Sequence, residues 1–225
     1  MSSNLEKTLS FHFREFTPVL SCSDISKYVS IDLSIHRSLV DSVDVSDPLK
    51  MDLFIKNFLL KNNHKVAYGG YLEKRDLYDR SDYFNTDSKR NIHLGIDLWS
   101  PPSTDVISPL NGKIHSFANN QNFGDYGPTI ILEHNLDDIT FYTLYGHLSV
   151  CSLLDLEIGK YFNKGDVIAQ LGTHHENGSY APHLHFQIIN NIGEFHGDYP
   201  GVCDEIDRDF YKKNCPDPNL ILCLE

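Results

Sequence analysis

No stretch of the 225-residue sequence approaches the roughly eighteen uninterrupted apolar residues needed to cross a bilayer. The opening Met1-Ser-Ser-Asn-Leu-Glu-Lys-Thr8 also lacks the basic segment and apolar run of an export signal. A cytoplasmic protein is therefore expected, with export by another route left open. Basic residues are scarce, 19 against 31 acidic, and the formal charge of -12 repels phosphate backbones and anionic headgroups. Neither nucleic acid nor a membrane surface is expected as a partner. The five cysteines (Cys22, Cys151, Cys203, Cys215, Cys223) are odd in number and irregular in spacing, with no C-x-x-C pair. That pattern argues for reduced thiols, against both a disulfide framework and a thiolate metal site. Internal repeats and low-complexity tracts are absent too. What remains is ordinary globular usage, 40% hydrophobic and 22% charged, enough for one domain with elaborated ends.

Residues 1–65 read as an N-terminal extension and 66–225 as the main domain, with its motif core over 91–189 and a tail over 190–225. Asp47 and Pro48 precede Leu49, Met51, Leu53, Phe54, Ile55, Phe58, Leu59 and Leu60, apolar residues at helical spacing behind a cap and a first-turn proline. One amphipathic helix ending near Asn62 is expected there. The run Tyr68 to Tyr83 is rich in tyrosine and charge without clean periodicity, and reads as an ordered loop whose tyrosines are candidates to line a groove. Five β-prone runs follow: Lys113 to Phe117, Thr129 to His134, Thr140 to Tyr145, Val167 to Leu171 and His183 to Ile189. The second and third form a hairpin around Asn135 to Asp138. The fold class is thus mainly β, built of antiparallel sheets, with helix confined to the N-terminal part and the tail around Glu205 to Lys213.

Twelve histidines carry most of the functional information. H-x-x-x-D occurs at His93/Asp97 and His134/Asp138, about as often as this many histidines and aspartates would produce by chance. His134 ends a strand and Asp138 falls across a polar turn, so that pair reads as structural. In His93-Leu-Gly-Ile-Asp97, strand alternation would put 93, 95 and 97 on one face, with Gly95 leaving room between imidazole and carboxylate. Such a pair is half of a zinc site. His183-Leu-His185-Phe-Gln-Ile188 supplies two more imidazoles on one strand face about 6.5–7 Å apart, with Leu184, Phe186 and Ile188 turned to the core. That separation suits one ligand and one neighbouring catalyst better than two ligands of one ion. His147, ending a strand in Leu144-Tyr-Gly-His-Leu148, would on its own be an ordinary structural histidine.

The order of these fragments carries a resemblance. His93-x3-Asp97, Asp105-Val-Ile-Ser-Pro-Leu-Asn-Gly-Lys-Ile114, Gly124-Asp-Tyr-Gly127, Thr129-Ile-Ile-Leu-Glu-His134, Leu144-Tyr-Gly-His-Leu148, Lys164-Gly-Asp-Val-Ile-Ala-Gln-Leu-Gly172 and Pro182-His-Leu-His-Phe186 together resemble the M23 zinc metallopeptidases, the lysostaphin and LytM-like endopeptidases. Many of these cut peptidoglycan cross-bridges. The resemblance implies a groove built on antiparallel sheets and a zinc ion held by His93, Asp97 and His185. It implies His147 and His183 as the unliganded catalytic pair; Tyr126, together with His174 and His175 in a loop that departs from the family pattern, are candidate substrate contacts. Where the family has a Gly/Ser/Thr-rich turn with a Gly-Pro pair, this chain reads Thr173-His-His-Glu-Asn-Gly-Ser-Tyr-Ala-Pro182, which adds His174, His175 and Glu176 as titratable loop residues.

A further resemblance rests on Tyr71-Leu-Glu-Lys-Arg-Asp-Leu-Tyr78, His93-Leu-Gly-Ile-Asp-Leu98, Asp125-Tyr-Gly-Pro-Thr-Ile-Ile-Leu-Glu-His134 and Cys215-Pro-Asp-Pro-Asn-Leu-Ile-Leu222. These are similar to the M23-like module found beside phosphotransferase-like and class III aminotransferase domains. Three readings follow: a zinc hydrolase of a peptide or peptidoglycan fragment, the same site acting on a non-peptide small molecule, or a non-catalytic binding module. All three ligands and both catalytic histidines are present, which argues against the last.

Overall fold

The computed structural model describes residues 3–35, 43–44, 47–75 and 89–224. Tyr78 and Tyr83 of the expected tyrosine-rich loop lie outside the described residues. Twelve strands are described: β1 (Tyr28–Ser30), β2 (Val66–Gly69), β3 (Ile92–His93), β4 (Ile96–Trp99), β5 (Asp105–Ile107), β6 (Gly112–Asn120), β7 (Gly127–Leu136), β8 (Ile139–Gly146), β9 (Tyr161–Phe162), β10 (Val167–Gln170), β11 (His183–Ile189) and β12 (Val202–Cys203). Four helices accompany them: α1 (Asn4–Phe11), α2 (Pro48–Asn62), α3 (Arg208–Asn214) and α4 (Asn219–Leu222). The main sheet runs in the order β1-β2-β4-β11-β8-β7-β6-β9, and the pairs β10-β5 and β12-β3 form two small sheets. Every pairing is antiparallel except β1 with β2. Among the described residues no helix is long and apolar enough to cross a membrane.

The centre of the sheet is β11, buried along its whole length between β4 and β8. Leu184, Phe186 and Ile188 face the main core, while His183, His185 and Gln187 occupy the opposite face, and that face is buried as well. The β7–β8 hairpin turns on Asp137 (φ 49°) and Asp138 (φ 61°), two left-handed residues of the kind that match the right-handed twist of the strands. Helix α2 begins where expected, with the Asp47 carboxylate accepting from the backbone N–H groups of Leu49 and Lys50.

Two expectations need correction. The segment from His93 to Asp97 is not one strand: β3 pairs with β12 and β4 lies in the main sheet, with the chain breaking direction at Leu94 and Gly95. Gly95 is needed at the break because a Cβ there would lie 2.6 Å from the His185 ring and 2.7 Å from the Phe186 carbonyl. The N-terminal extension also holds a second helix. Helix α1 starts with a capping box, in which the Ser3 hydroxyl accepts from Glu6 N–H and the Glu6 carboxylate accepts from Ser3 N–H. Its Leu5 and Leu9 share the main core with Ile221 and Leu222 of α4, and β1 extends the main sheet beyond β2. Met51, Ile55 and Leu59 of α2 pack with Ala67 and Trp99. The described part of the extension is therefore built into the same sheet and core as the rest.

His134 is structural, as the sequence suggests. It is 1% exposed, donates from Nδ1 to the Asn111 carbonyl at 2.9 Å and lies 2.7 Å by Nε2 from the Thr143 hydroxyl, while Asp138 is exposed in the turn. Burial presses its pKa from 6.5 to about 4. The unfolded chain therefore binds the proton first, so stability is full above pH 6.5 and is lost as pH falls toward 4. We expect a loss on the order of 3 kcal/mol from this group. Urea unfolding at pH 7 and pH 4.5 tests it: His134→Gln, which does not titrate, should show a smaller pH dependence than the wild type.

Candidate metal centre

Strand register brings the ligands together. Asp97 on β4 stands directly opposite His185 on β11, and Gly146 on β8 stands opposite His185 on the other side. His93 reaches the same point from β3. His93 Nε2 lies 3.3 Å from Asp97 Oδ1, His185 Nδ1 lies 3.3 Å from the same oxygen, and the two nitrogens are 2.9 Å apart. All three side chains are at least 96% buried. Among the described residues this is the one group of three His, Cys, Asp or Glu side chains able to share an ion.

The outward atoms of the triad are committed. His93 Nδ1 donates to the Gly70 carbonyl at 3.0 Å, and His185 Nε2 donates to Gln187 Oε1 at 2.9 Å. The Gln187 amide is oriented by its own donation to the Pro200 carbonyl at 3.1 Å and toward the Cys215 thiol at 3.3 Å. Each imidazole proton thus points away from the centre, and each inner nitrogen presents a lone pair. Asp97 Oδ2 accepts from Arg75 Nη1, whereas Asp97 Oδ1 is buried with no hydrogen-bond partner. Three lone pairs therefore face one another at 2.9–3.3 Å in a buried site. Ligand atoms around tetrahedral zinc at bonds of about 2.0–2.2 Å stand about 3.3 Å apart, so the set fits zinc. Arg75, Glu73 and Asp97 together carry one net negative charge, which also favours a cation.

His147 and His183 flank the triad. His183 Nδ1 donates to the Ala181 carbonyl at 2.7 Å, and its Nε2 lies 3.7 Å from Asp97 Oδ1. His147, held at a left-handed φ of 63° just beyond β8, donates from Nδ1 to the Asn177 carbonyl at 2.8 Å. The two rings stand 4.2 Å apart between their centroids, and Trp99 stacks on His183. Tyr126 packs beside His147 and His185 with its hydroxyl 3.4 Å from His185 Nε2, in a slot left by Gly146 and Gly201, whose absent Cβ atoms would strike its ring and hydroxyl. These side chains line a cavity of about 260 Å³ whose wall also includes Leu33 and Met51 from the N-terminal segment and Tyr199 from the loop after β11.

Burial keeps the imidazoles neutral. It lowers His93 to about 3, with the Arg75 charge adding to the effect, and it lowers His147 and His183, in His147 assisted by the neighbouring imidazoles. Burial alone would raise Asp97, yet His93, Arg75 and His183 hold its carboxyl well below the usual range. At neutral pH His93 is thus a neutral imidazole and Asp97 a carboxylate, the forms that bind metal.

The structure places His93, Asp97 and His185 together, with His147, His183 and Tyr126 around them. The rings of His174 and His175, half-buried and exposed respectively, lie 3.9 Å apart at a tilt of 42°, and neither is among the residues lining the cavity. Glu176 braces their loop: burial works to raise its pKa, but backbone N–H groups of Val150 and Thr173 hold the carboxylate and lower it. The sequence reading missed Arg75 and Gln187 as partners of the triad. Gln187 had a signal, since it continues the two-residue alternation of His183 and His185.

Residues 91–196 match the family model of Peptidase family M23, and they contain the three converging ligands and both flanking histidines. Among solved structures, the chain is similar to the catalytic domain of the antimicrobial peptidase lysostaphin from Staphylococcus simulans. Identity there is 27% over 67% of this chain and 94% of that one, with a TM-score of 0.40. A Pseudomonas aeruginosa structure assigned to peptidase M23 is 19% identical over 59% of this chain and 44% of that one, with a TM-score of 0.40. A zinc-containing peptidase from Vibrio cholerae is 28% identical over 44% of this chain and 28% of that one, with a TM-score of 0.35. The chain thus spans less than half the length of the last two. No curated protein matches it.

The crowding at Gly95 yields a test. Gly95→Ala puts a methyl group into the His185 ring. It should abolish zinc retention, measured by elemental analysis, and cost about 1–3 kcal/mol in thermal unfolding. A variant that keeps wild-type zinc content would contradict the placement of His185 in the triad.

Proposed function

We propose that this chain is a zinc-dependent amide hydrolase of the M23 type, acting on a peptide or peptidoglycan-derived fragment. The observation that carries the reading is the buried Asp97 Oδ1, unpaired and faced by the inner nitrogens of His93 and His185. Zinc held by these three atoms would act as a Lewis acid that polarises a carbonyl and acidifies water. His147 and His183 donate from Nδ1 to backbone carbonyls, so Nε2 is the proton-accepting atom of each. Either Nε2 can take a proton from the attacking water and return it to the leaving amine. Once protonated, the imidazolium stabilises the oxyanion that forms on the carbonyl. Tyr126 adds a hydroxyl to the same cavity wall.

The cavity also supports a second reading, hydrolysis of a small non-peptide amide. Leu33 and Met51 close part of the wall with apolar side chains, and about 260 Å³ suits a small ligand better than an extended polymer. Mass spectrometry of muropeptides and of a metabolite extract, each incubated with zinc-loaded protein, separates the two. New amine and acid termini among the muropeptides support the first reading, and change confined to the extract supports the second. No change in either would overturn both.

Ligand and catalyst separate by mutation. His185→Ala should lose zinc and activity together, with a lower melting temperature because metal binding stabilises the fold. His147→Ala and His183→Ala should keep zinc while turnover falls by about 10² to 10⁴. Metal content and rate on the same preparations decide the assignment. Zinc lost from His183→Ala but kept by His185→Ala would reverse it.

A further inference from the structure

The segment just after β2 supplies groups to the centre from outside the matched residues 91–196. Arg75 is 1% exposed and its guanidinium forks between two carboxylates, with Nη1 donating to Asp97 Oδ2 and Nε to Glu73 Oε2. Nη2 lies 3.4 Å from the Gly69 carbonyl, and the guanidinium sits 5.9 Å from the Trp99 ring. Glu73 is held in turn, its Oε1 accepting from Leu33 N–H at 2.9 Å. Gly70 makes the approach possible: at φ +112°, a Cβ would lie 1.9 Å from Arg75 Nη2 and 2.9 Å from His93 Nδ1. The same glycine's carbonyl holds His93 Nδ1.

We propose that Arg75 is the positioning residue of the metal ligand Asp97. It occupies Oδ2 so that only Oδ1 is offered to the ion, fixing Asp97 as a one-oxygen ligand and leaving a coordination position for water or substrate. This rests on the metal reading above. An unrestrained carboxylate can turn and give both oxygens to a cation, and the fork removes that freedom. Lysine at this position would be a poor replacement, because a single ammonium cannot hold Oδ2 and Glu73 in one plane. Glu73 balances the guanidinium charge and fixes its rotation. The segment from Gly70 to Arg75 therefore orients two of the three ligands, His93 through a carbonyl and Asp97 through a guanidinium. The motif Tyr71 to Tyr78 gains a role at this centre through Glu73 and Arg75.

The test uses the full chain loaded with zinc or with cobalt(II), whose visible absorption weakens as its coordination number rises. Arg75→Met leaves Glu73 and Asp97 uncompensated, so Glu73→Gln/Arg75→Met is made alongside it to restore charge balance and keep the fold. In both, the cobalt absorption should weaken and zinc affinity, measured by chelator competition, should fall about 10- to 100-fold. Arg75→Lys and Glu73→Gln should each fall between these and the wild type. A folded double variant with the wild-type cobalt spectrum and zinc affinity within about threefold overturns the proposal while the metal reading stands. Weaker affinity with an unchanged spectrum overturns the claim that Arg75 sets the coordination mode. Wild-type protein that takes up neither metal overturns both the metal reading and this proposal.

Discussion

Lone pairs pointed at one another in a buried site repel, and Asp97 Oδ1, His93 Nε2 and His185 Nδ1 meet in just that way. Holding them there requires that each side chain be fastened by its other end. The Gly70 carbonyl, the Arg75 guanidinium and the Gln187 amide do this, and each is itself fixed by a neighbour. Rotation of any one ring would relieve the repulsion by trading the lone pair for an N–H. The fastening bonds oppose that rotation, so a divalent cation would find its ligands already oriented.

The burial of both faces of β11 serves the same end. A strand with one wet face would surround His183 and His185 with water, and their inner nitrogens would be solvated. Here the N-terminal segment, the loop after β11 and the turn at Tyr126 cover that face. The chain before β2 therefore does more than extend the domain. Met51 and Leu33 belong both to an apolar cluster with Trp99 and to the wall of the cavity.

Much of this was legible in the residues themselves, because local patterns write local structure. Alternation in His183-Leu-His185-Phe-Gln187 marks a strand with one polar and one apolar face, and Asp47-Pro48 marks a helix start. The centre was readable from order rather than from any one motif: His93-x3-Asp97 and His183-x-His185 are each about as common as chance allows, and it was their sequence along the chain, resembling the M23 metallopeptidases, that marked His93, Asp97 and His185. The break between β3 and β4 was not readable, since alternation through Gly95 looks unbroken until β12 claims β3 as a partner. Arg75 was equally hidden, its partner Asp97 standing 22 residues away with no periodicity to connect them. Helix α1 carried a signal in Ser3-x-x-Glu6 that eight residues made easy to pass over.

The pairing of β4 with β11 has a kinetic side. His93 and His185 are 92 residues apart, and no local turn can bring them together. The ligand set exists only after the longest-range strand pairing in the centre of the sheet has closed, a step whose loop entropy makes it slow. A metal ion therefore has no assembled site to bind while the chain is still collapsing. A metal that binds only the native arrangement would act on the escape from the finished fold, slowing unfolding and leaving the rate of folding nearly untouched.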